Sequence, residues 1–152
     1  EQTTDYLQVE PTHERASTGK RFANYIIDLV IFYILIFCLS FGLTLMAPAF
    51  MQDLVADDSN SIMLNIAALL LYVLYMSALE ALTKGKTIGK FITGTRAVNL
   101  DGTAINTSKA FGRGLSRAVP FCAFSALGTP CNPWQDKWTN TMVIDEKKTV
   151  IS

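Results

Sequence analysis

The run from Phe22 to Ala47 is almost entirely apolar, and Asp28 is the only formal charge in it. At ~1.5 Å per helical residue it is long enough to cross a hydrocarbon core of ~30 Å. A run of this kind leaves few folds open, because hydrocarbon offers no partner for backbone N–H and C=O groups while a helix satisfies its own. Arg21 and Asp28 stand seven residues apart. That is two helical turns, so both project from one face with the acid roughly 10 Å deeper. An intramembrane carboxylate is costly and points to function by default, although one near a helix end can snorkel. A structural pairing role and a transport role both stand open for Asp28.

A second apolar run spans Ile62 to Leu82. Every one of the 13 Lys and Arg residues lies before Phe22 or after Thr83. The positive-inside rule then places the N-terminus and everything just after the second span in the cytoplasm. The acidic loop 48–61, with Asp53, Asp57 and Asp58, is expected outside. A hairpin buried in a soluble protein would give a related pattern, but two runs above twenty residues favour the membrane. Half of the 152 residues are hydrophobic and mean hydropathy is positive at +0.28, so the chain is too small for several domains and too apolar for an ordinary soluble one. Residues 1–18 form a polar tail without the apolar core of a signal peptide, so the first span is expected to be a retained anchor.

Charge balance, 13 basic against 13 acidic residues, argues against nucleic acid as a partner. Cys38, Cys122 and Cys131 have no C-x-x-C spacing and His13 stands alone in the tail, so neither a metal site nor a cofactor is expected. Cys122 and Cys131 are either a disulfide or two reduced thiols behaving as small hydrophobes, and the second reading is preferred. No nucleophile has a base beside it, so an enzyme is not expected.

Glu80 lies one turn before Lys84. In an antiparallel hairpin Asp28 and Glu80 both fall in the cytoplasmic third of the membrane, where two approaching carboxylates raise one another's pKa and can hold a proton or a sodium ion. The other reading is that each acid meets a nearby Arg or Lys. The run Thr83-Lys84-Gly85-Lys86-Thr87-Ile88-Gly89-Lys90 is not a phosphate loop, because Phe91 stands where Ser or Thr is required. Its cations suit contact with anionic headgroups, each adding on the order of 1 kcal/mol.

Residues 91–106 alternate β-branched and polar residues around Asn99-Leu100-Asp101-Gly102, which predicts a β-hairpin at the cytoplasmic surface. Thr107-Ser108 is expected to cap a basic amphipathic helix in which Lys109, Arg113 and Arg117 recur every four residues opposite Phe111 and Leu115. Lys84, Lys86, Lys90, Lys109, Arg113 and Arg117 are together the expected contacts to anionic lipid. Beyond Pro120 the helix is expected to kink and re-enter, so that the element covers residues 107–128. Trp134 and Trp138 suit the headgroup zone, residues 139–144 predict a strand added to the hairpin, and residues 145–152 form a polar tail.

Arg21, Asp28 and Asp136, the Gly-Lys-Thr-Ile-Gly-Lys run with Gly94-Thr95-Arg96-Ala97-Val98, and Arg113-x-x-x-Arg117 before the proline together resemble the RDD family of small bacterial membrane proteins, named for one arginine and two aspartates. The resemblance covers residues 17–144. It implies a bacterial inner-membrane location and makes Arg21, Asp28 and Asp136 the signature, with Glu80, Arg96, Arg113 and Arg117 as supporting partners. The chain departs from the pattern at Gln135, where many members have a His before the Asp, which argues against a proton relay through that position. Most of the family has no assigned activity, and some members have been linked to sodium/proton antiport. The expected function is therefore membrane transport, with cation/proton antiport of the sodium type as the candidate, and because two spans do not enclose a pathway it implies a homo-oligomer or a partner subunit. The alternative is a scaffold or accessory subunit that binds anionic lipid or a protein. The expected fold is thus an α-helical membrane protein with spans at 22–47 and 62–82, followed within residues 19–144 by the hairpin, the basic kinked helix and the short strand.

Overall fold

The computed structural model describes residues 13–118 and 134–148. Helix α1 spans Thr18–Met46 and begins where the Ser17 side chain accepts from the Lys20 N–H at 3.4 Å. Its 29 residues measure ~43 Å, more than a hydrocarbon core requires. It stops at Ala47 because Pro48 has no N–H to continue the ladder, and Pro48 instead opens α2, Pro48–Ala56. Helix α3, Ser59–Leu82, returns across the apolar thickness. These are the two helices among the described residues that are long and apolar enough to cross a membrane. Most of their large apolar side chains face outward, from Val30, Phe37 and Leu45 on α1 to Ile62, Leu70 and Leu74 on α3. Lipid is the medium that accepts such a surface. Between the helices Phe32 lies edge-on to Tyr72, with ring centroids 5.0 Å apart, and Met76 completes the buried contact.

The remaining elements gather at the end of the hairpin marked by Thr18 and Leu82. The Thr83 hydroxyl lies 2.6 Å from the Leu79 carbonyl oxygen and 2.5 Å from that of Lys86, sharing its one proton between them, and turns the chain off α3. Helix α4, Ile88–Thr93, is N-capped by Thr87 and lies against α1. Its approach depends on Gly89, where a Cβ would stand 2.6 Å from the Asn24 carbonyl oxygen. Strand β1, Thr95–Asn99, is followed by helix α5, Thr107–Arg117, helix α6, Trp134–Thr139, and strand β2, Thr141–Asp145. The two strands pair antiparallel with Ala97 opposite Val143. On the other edge of β2, Ala16 N–H donates to the Val143 carbonyl at 2.9 Å and Asp145 N–H donates to the Glu14 carbonyl at 3.0 Å.

Several sequence expectations change here. The first span ends at Met46 and the second begins at Ser59, and most of the 48–61 segment is the helix α2 rather than a loop. The hairpin expected over residues 91–106 is not formed. Residues 91–93 belong to α4, and after the turn at Asn99 to Gly102 the return strand is reduced to a single bridge, Val98 to Ala104. Helix α5 leaves no length for a return strand, because Asn106 is its cap, accepting from Lys109 N–H at 2.9 Å in place of the expected Thr107 or Ser108. The strand pairs instead with β2, which runs over residues 141–145 rather than 139–144. Residues 14–16, expected in the N-terminal polar tail, flank β2, and Asp145, expected in the C-terminal polar tail, is the buried last residue of that strand. The kink, the re-entrant stretch, Cys122 and Cys131 lie outside the described residues. Cys38 is an exposed thiol on α1.

Candidate functional site

Arg21, Asn24 and Asp28 follow one another at spacings of three and four, which lines them along one face of α1. All three are buried. The Arg21 guanidinium reaches Asp136 Oδ2 on α6 at 2.5 Å and the Val143 carbonyl at 3.2 Å. Asn24 places its amide between the Thr93 and Thr95 hydroxyls, at 2.5 and 2.9 Å. Asp28 accepts from the Thr87 hydroxyl at 2.6 Å and from the Gly89 N–H at 2.7 Å. A single helical face thus holds α6, β1 and α4 in turn.

Helix α3 supplies the second half of the site through Glu80, 1 % exposed. Its Oε1 receives Lys90 Nζ at 2.5 Å and Arg117 Nη2 at 2.9 Å, and its Oε2 receives Arg113 Nε at 2.8 Å. Arg113 is completely buried, and its Nη1 donates to Asp136 Oδ1 and, at 2.5 Å, to the Thr141 hydroxyl. Arg113 therefore joins the two carboxylates that Arg21 and Lys90 hold from either side. The close approach of α5 to α3 that this needs is possible because residue 114 is glycine. A Cβ there would lie 2.0 Å from Ser77 Oγ and 3.0 Å from the Val73 carbonyl oxygen.

The electrostatics follow from burial opposed by partners. Desolvation alone raises the Asp136 carboxyl pKa, but Arg113 and Arg21 outweigh it and hold the group below the usual range. Desolvation likewise opposes charge on Arg113 and Arg117, and Glu80 outweighs it for both, with Asp136 adding to the effect on Arg113. For Lys90 burial wins: the ammonium is pushed down to about 8 despite its contact with Glu80.

Of the residues singled out in the sequence, the structure brings Arg21, Asp136, Arg113, Glu80 and Arg117 into one network. Asp28 lies on the same buried face but bonds neither Arg21 nor Glu80; the two acids envisaged as a pair are held by separate groups. Arg96 is not in the cluster, since its Nε meets Glu146 at 3.0 Å near the surface. Lys90, Arg113 and Arg117, expected at lipid headgroups, instead turn inward to Glu80, a buried carboxylate that would otherwise be left uncompensated. Lys86 pairs with Glu146 at 2.7 Å, Lys109 donates to the Asn99 side chain at 2.8 Å, and Lys84 stays exposed. Sequence reasoning missed Asn24, Thr87 and Thr141. The spacing of Asn24 between Arg21 and Asp28 was a usable signal; the two threonines carried none. No group of three His, Cys, Asp or Glu side chains among the described residues is arranged to hold a metal ion.

No curated protein and no solved structure matches this chain. Residues 15–132 match the RDD family, a range that includes both apolar helices, Arg21, Asp28, Glu80 and the α5 arginines and ends before Asp136. A membrane hairpin whose buried arginine and acids lock the flanking helices together, matched over that length, makes this chain a member of the RDD family.

Proposed function

We propose that this chain is a non-enzymatic membrane module in which the polar cluster is a charge-neutralised joint, and that the module serves as a scaffold or accessory subunit for a protein partner or a second copy. One observation carries the reading. All four carboxylate oxygens of Glu80 and Asp136 are taken by Lys or Arg nitrogens. The buried cluster counts four cations, Arg21, Lys90, Arg113 and Arg117, against three acids, Asp28, Glu80 and Asp136. A sodium ion would enter a neighbourhood already rich in positive charge and would have to displace a guanidinium. The positive-inside rule orients the joint towards the cytoplasm and the Asp53, Asp57 and Asp58 segment outward, in the inner membrane of a bacterium. Lys84, exposed near the joint, is suited to anionic headgroups.

Cation/proton antiport by an oligomer is the second reading, and Asp28 is what favours it. Asp28 is 2 % exposed, and among the described residues no Lys or Arg nitrogen is bonded to it. A carboxylate inside an apolar span that no basic side chain holds is by default a candidate for function rather than structure. The test is pH-gradient dissipation by sodium, potassium or lithium in liposomes holding the purified protein, beside Asp28→Asn at equal folded amount. The joint reading expects no cation-dependent flux, and a loss of about 1–3 kcal/mol in unfolding free energy in Asp28→Asn as one acceptor becomes a donor. Flux in the wild type that vanishes in a folded Asp28→Asn overturns it in favour of transport.

A further inference from the structure

Helix α5 carries its two faces the opposite way round from an amphipathic helix in water. Arg113 is fully enclosed, with Ala110, Gly114 and Ser116 buried beside it, whereas Phe111 and Leu115 are 43 % and 50 % exposed. The outward face, Ser108, Phe111, Gly112 and Leu115, contains no charge. Its depth can be read from α3. Gly114 meets α3 at Val73 and Ser77, nine and five residues before Leu82, where that apolar helix ends. At 1.5 Å per residue the contact lies ~7–13 Å inside the end of the span. Leu115 follows Gly114 directly, so it stands beside the apolar length of α3 and not beyond its end. On α3 itself Leu70, Leu71 and Leu74, within a turn of Val73, are exposed and apolar too.

We propose that the Phe111–Leu115 face of α5 packs against lipid acyl chains, so that α5 is a third membrane-embedded helix, its arginines turned to protein and its leucine and phenylalanine to lipid. The proposal rests on α1 and α3 spanning a bilayer and on neither the joint nor the transport reading. Burying a charged face against Glu80 and Asp136 while exposing an apolar one is unfavourable in water and favourable in hydrocarbon, where interhelical packing is driven by polar contact and close approach at small residues. Gly114 and Ser77 supply the close approach.

Single cysteines at Phe111→Cys and Leu115→Cys, in a background with Cys38, Cys122 and Cys131 replaced by Ala, would carry an environment-sensitive fluorophore. The full chain would be reconstituted in phosphatidylcholine–phosphatidylglycerol liposomes. Acyl chains bearing a doxyl group and iodide on both faces are the two quenchers, with Val30→Cys as the lipid control and Asp101→Cys as the water control. Both α5 positions should lose most of their emission to doxyl lipid and little to iodide, as Val30→Cys does. Iodide quenching at the level of Asp101→Cys overturns the proposal by placing the face in water. Protection from both quenchers overturns it by placing protein, a second copy included, on the face. If Val30→Cys itself escapes doxyl lipid, the spanning assignment of α1 fails rather than the reading of α5 alone. Should the cysteine-free background not fold, Phe111→Trp with Trp134→Phe and Trp138→Phe reads the same contact through brominated acyl chains.

Discussion

The two ends of the helical hairpin are built on different physics. At the Met46–Ser59 end, α2 buries no residue, and the contacts are local, such as Thr44 hydroxyl to the Ser40 carbonyl at 2.8 Å and Asn60 to the Leu54 carbonyl at 3.3 Å. At the Thr18–Leu82 end, Arg113 joins Glu80, 33 positions away, to Asp136, 23 positions away, and Arg21 reaches Asp136 across 115. Hydropathy is enough to make two helices cross, and the Met46–Ser59 end asks for little more. It supplies no reason for them to stay together, because lipid tails solvate apolar side chains as well as another helix does. Specificity therefore comes from polar groups that find no partner in lipid, and they are concentrated at one end.

The contrast predicts a graded response. The largest loss is expected from Arg113→Gln, which leaves Glu80 and Asp136 each short of a cation in a buried site and should cost about 3–5 kcal/mol. Unfolding by titrated dodecyl sulfate in bicelles measures it, and a loss below about 1 kcal/mol would mean that the network is water-filled and loosely held.

A smaller effect, of opposite sense, should come from pH. Lys90 folded has a pKa of about 8 against 10.5 for an ordinary lysine. Between these values the unfolded chain binds more protons than the folded one, so stability should rise as pH increases through that window. Lys90→Met should lose that rise in a thermal scan run from pH 7 to pH 10.5, while an unchanged profile would place the titration elsewhere. The least effect belongs to the opposite end: Asp53→Asn on exposed α2 should change stability by no more than about 0.5 kcal/mol in the same denaturation. A loss there comparable to Arg113→Gln would erase the distinction between the ends.

Much of this was written in local pattern. Two apolar runs, the Ser17 cap, the face shared by Arg21, Asn24 and Asp28, and the four-residue spacing of Lys109, Arg113 and Arg117 all depend on neighbours within a turn or two. What pattern could not tell was the direction in which α5 turns. Periodicity separates a basic from an apolar face but is silent on which one meets protein, and the usual assumption of polar-out is reversed where the surroundings are lipid. The expected hairpin failed for a similar reason. Asn99-Leu100-Asp101-Gly102 does turn, with the Gly102 N–H donating to the Asn99 carbonyl at 2.9 Å, but β1 found its partner more than forty positions later in Met142 and Val143.

From its residues alone, this chain is bound to be a hairpin of two apolar helices with its cations gathered beyond one end, because helix period, hydropathy and charge are properties of short stretches. Which acid meets which cation was settled by folding. Glu80 draws in Lys90, Arg113 and Arg117, Asp136 bridges Arg21 and Arg113, and Asp28 is left to a hydroxyl and a backbone N–H. Those partnerships span distant elements, and once packing takes a charge out of solvent it is held by whichever complementary group the helices bring within reach.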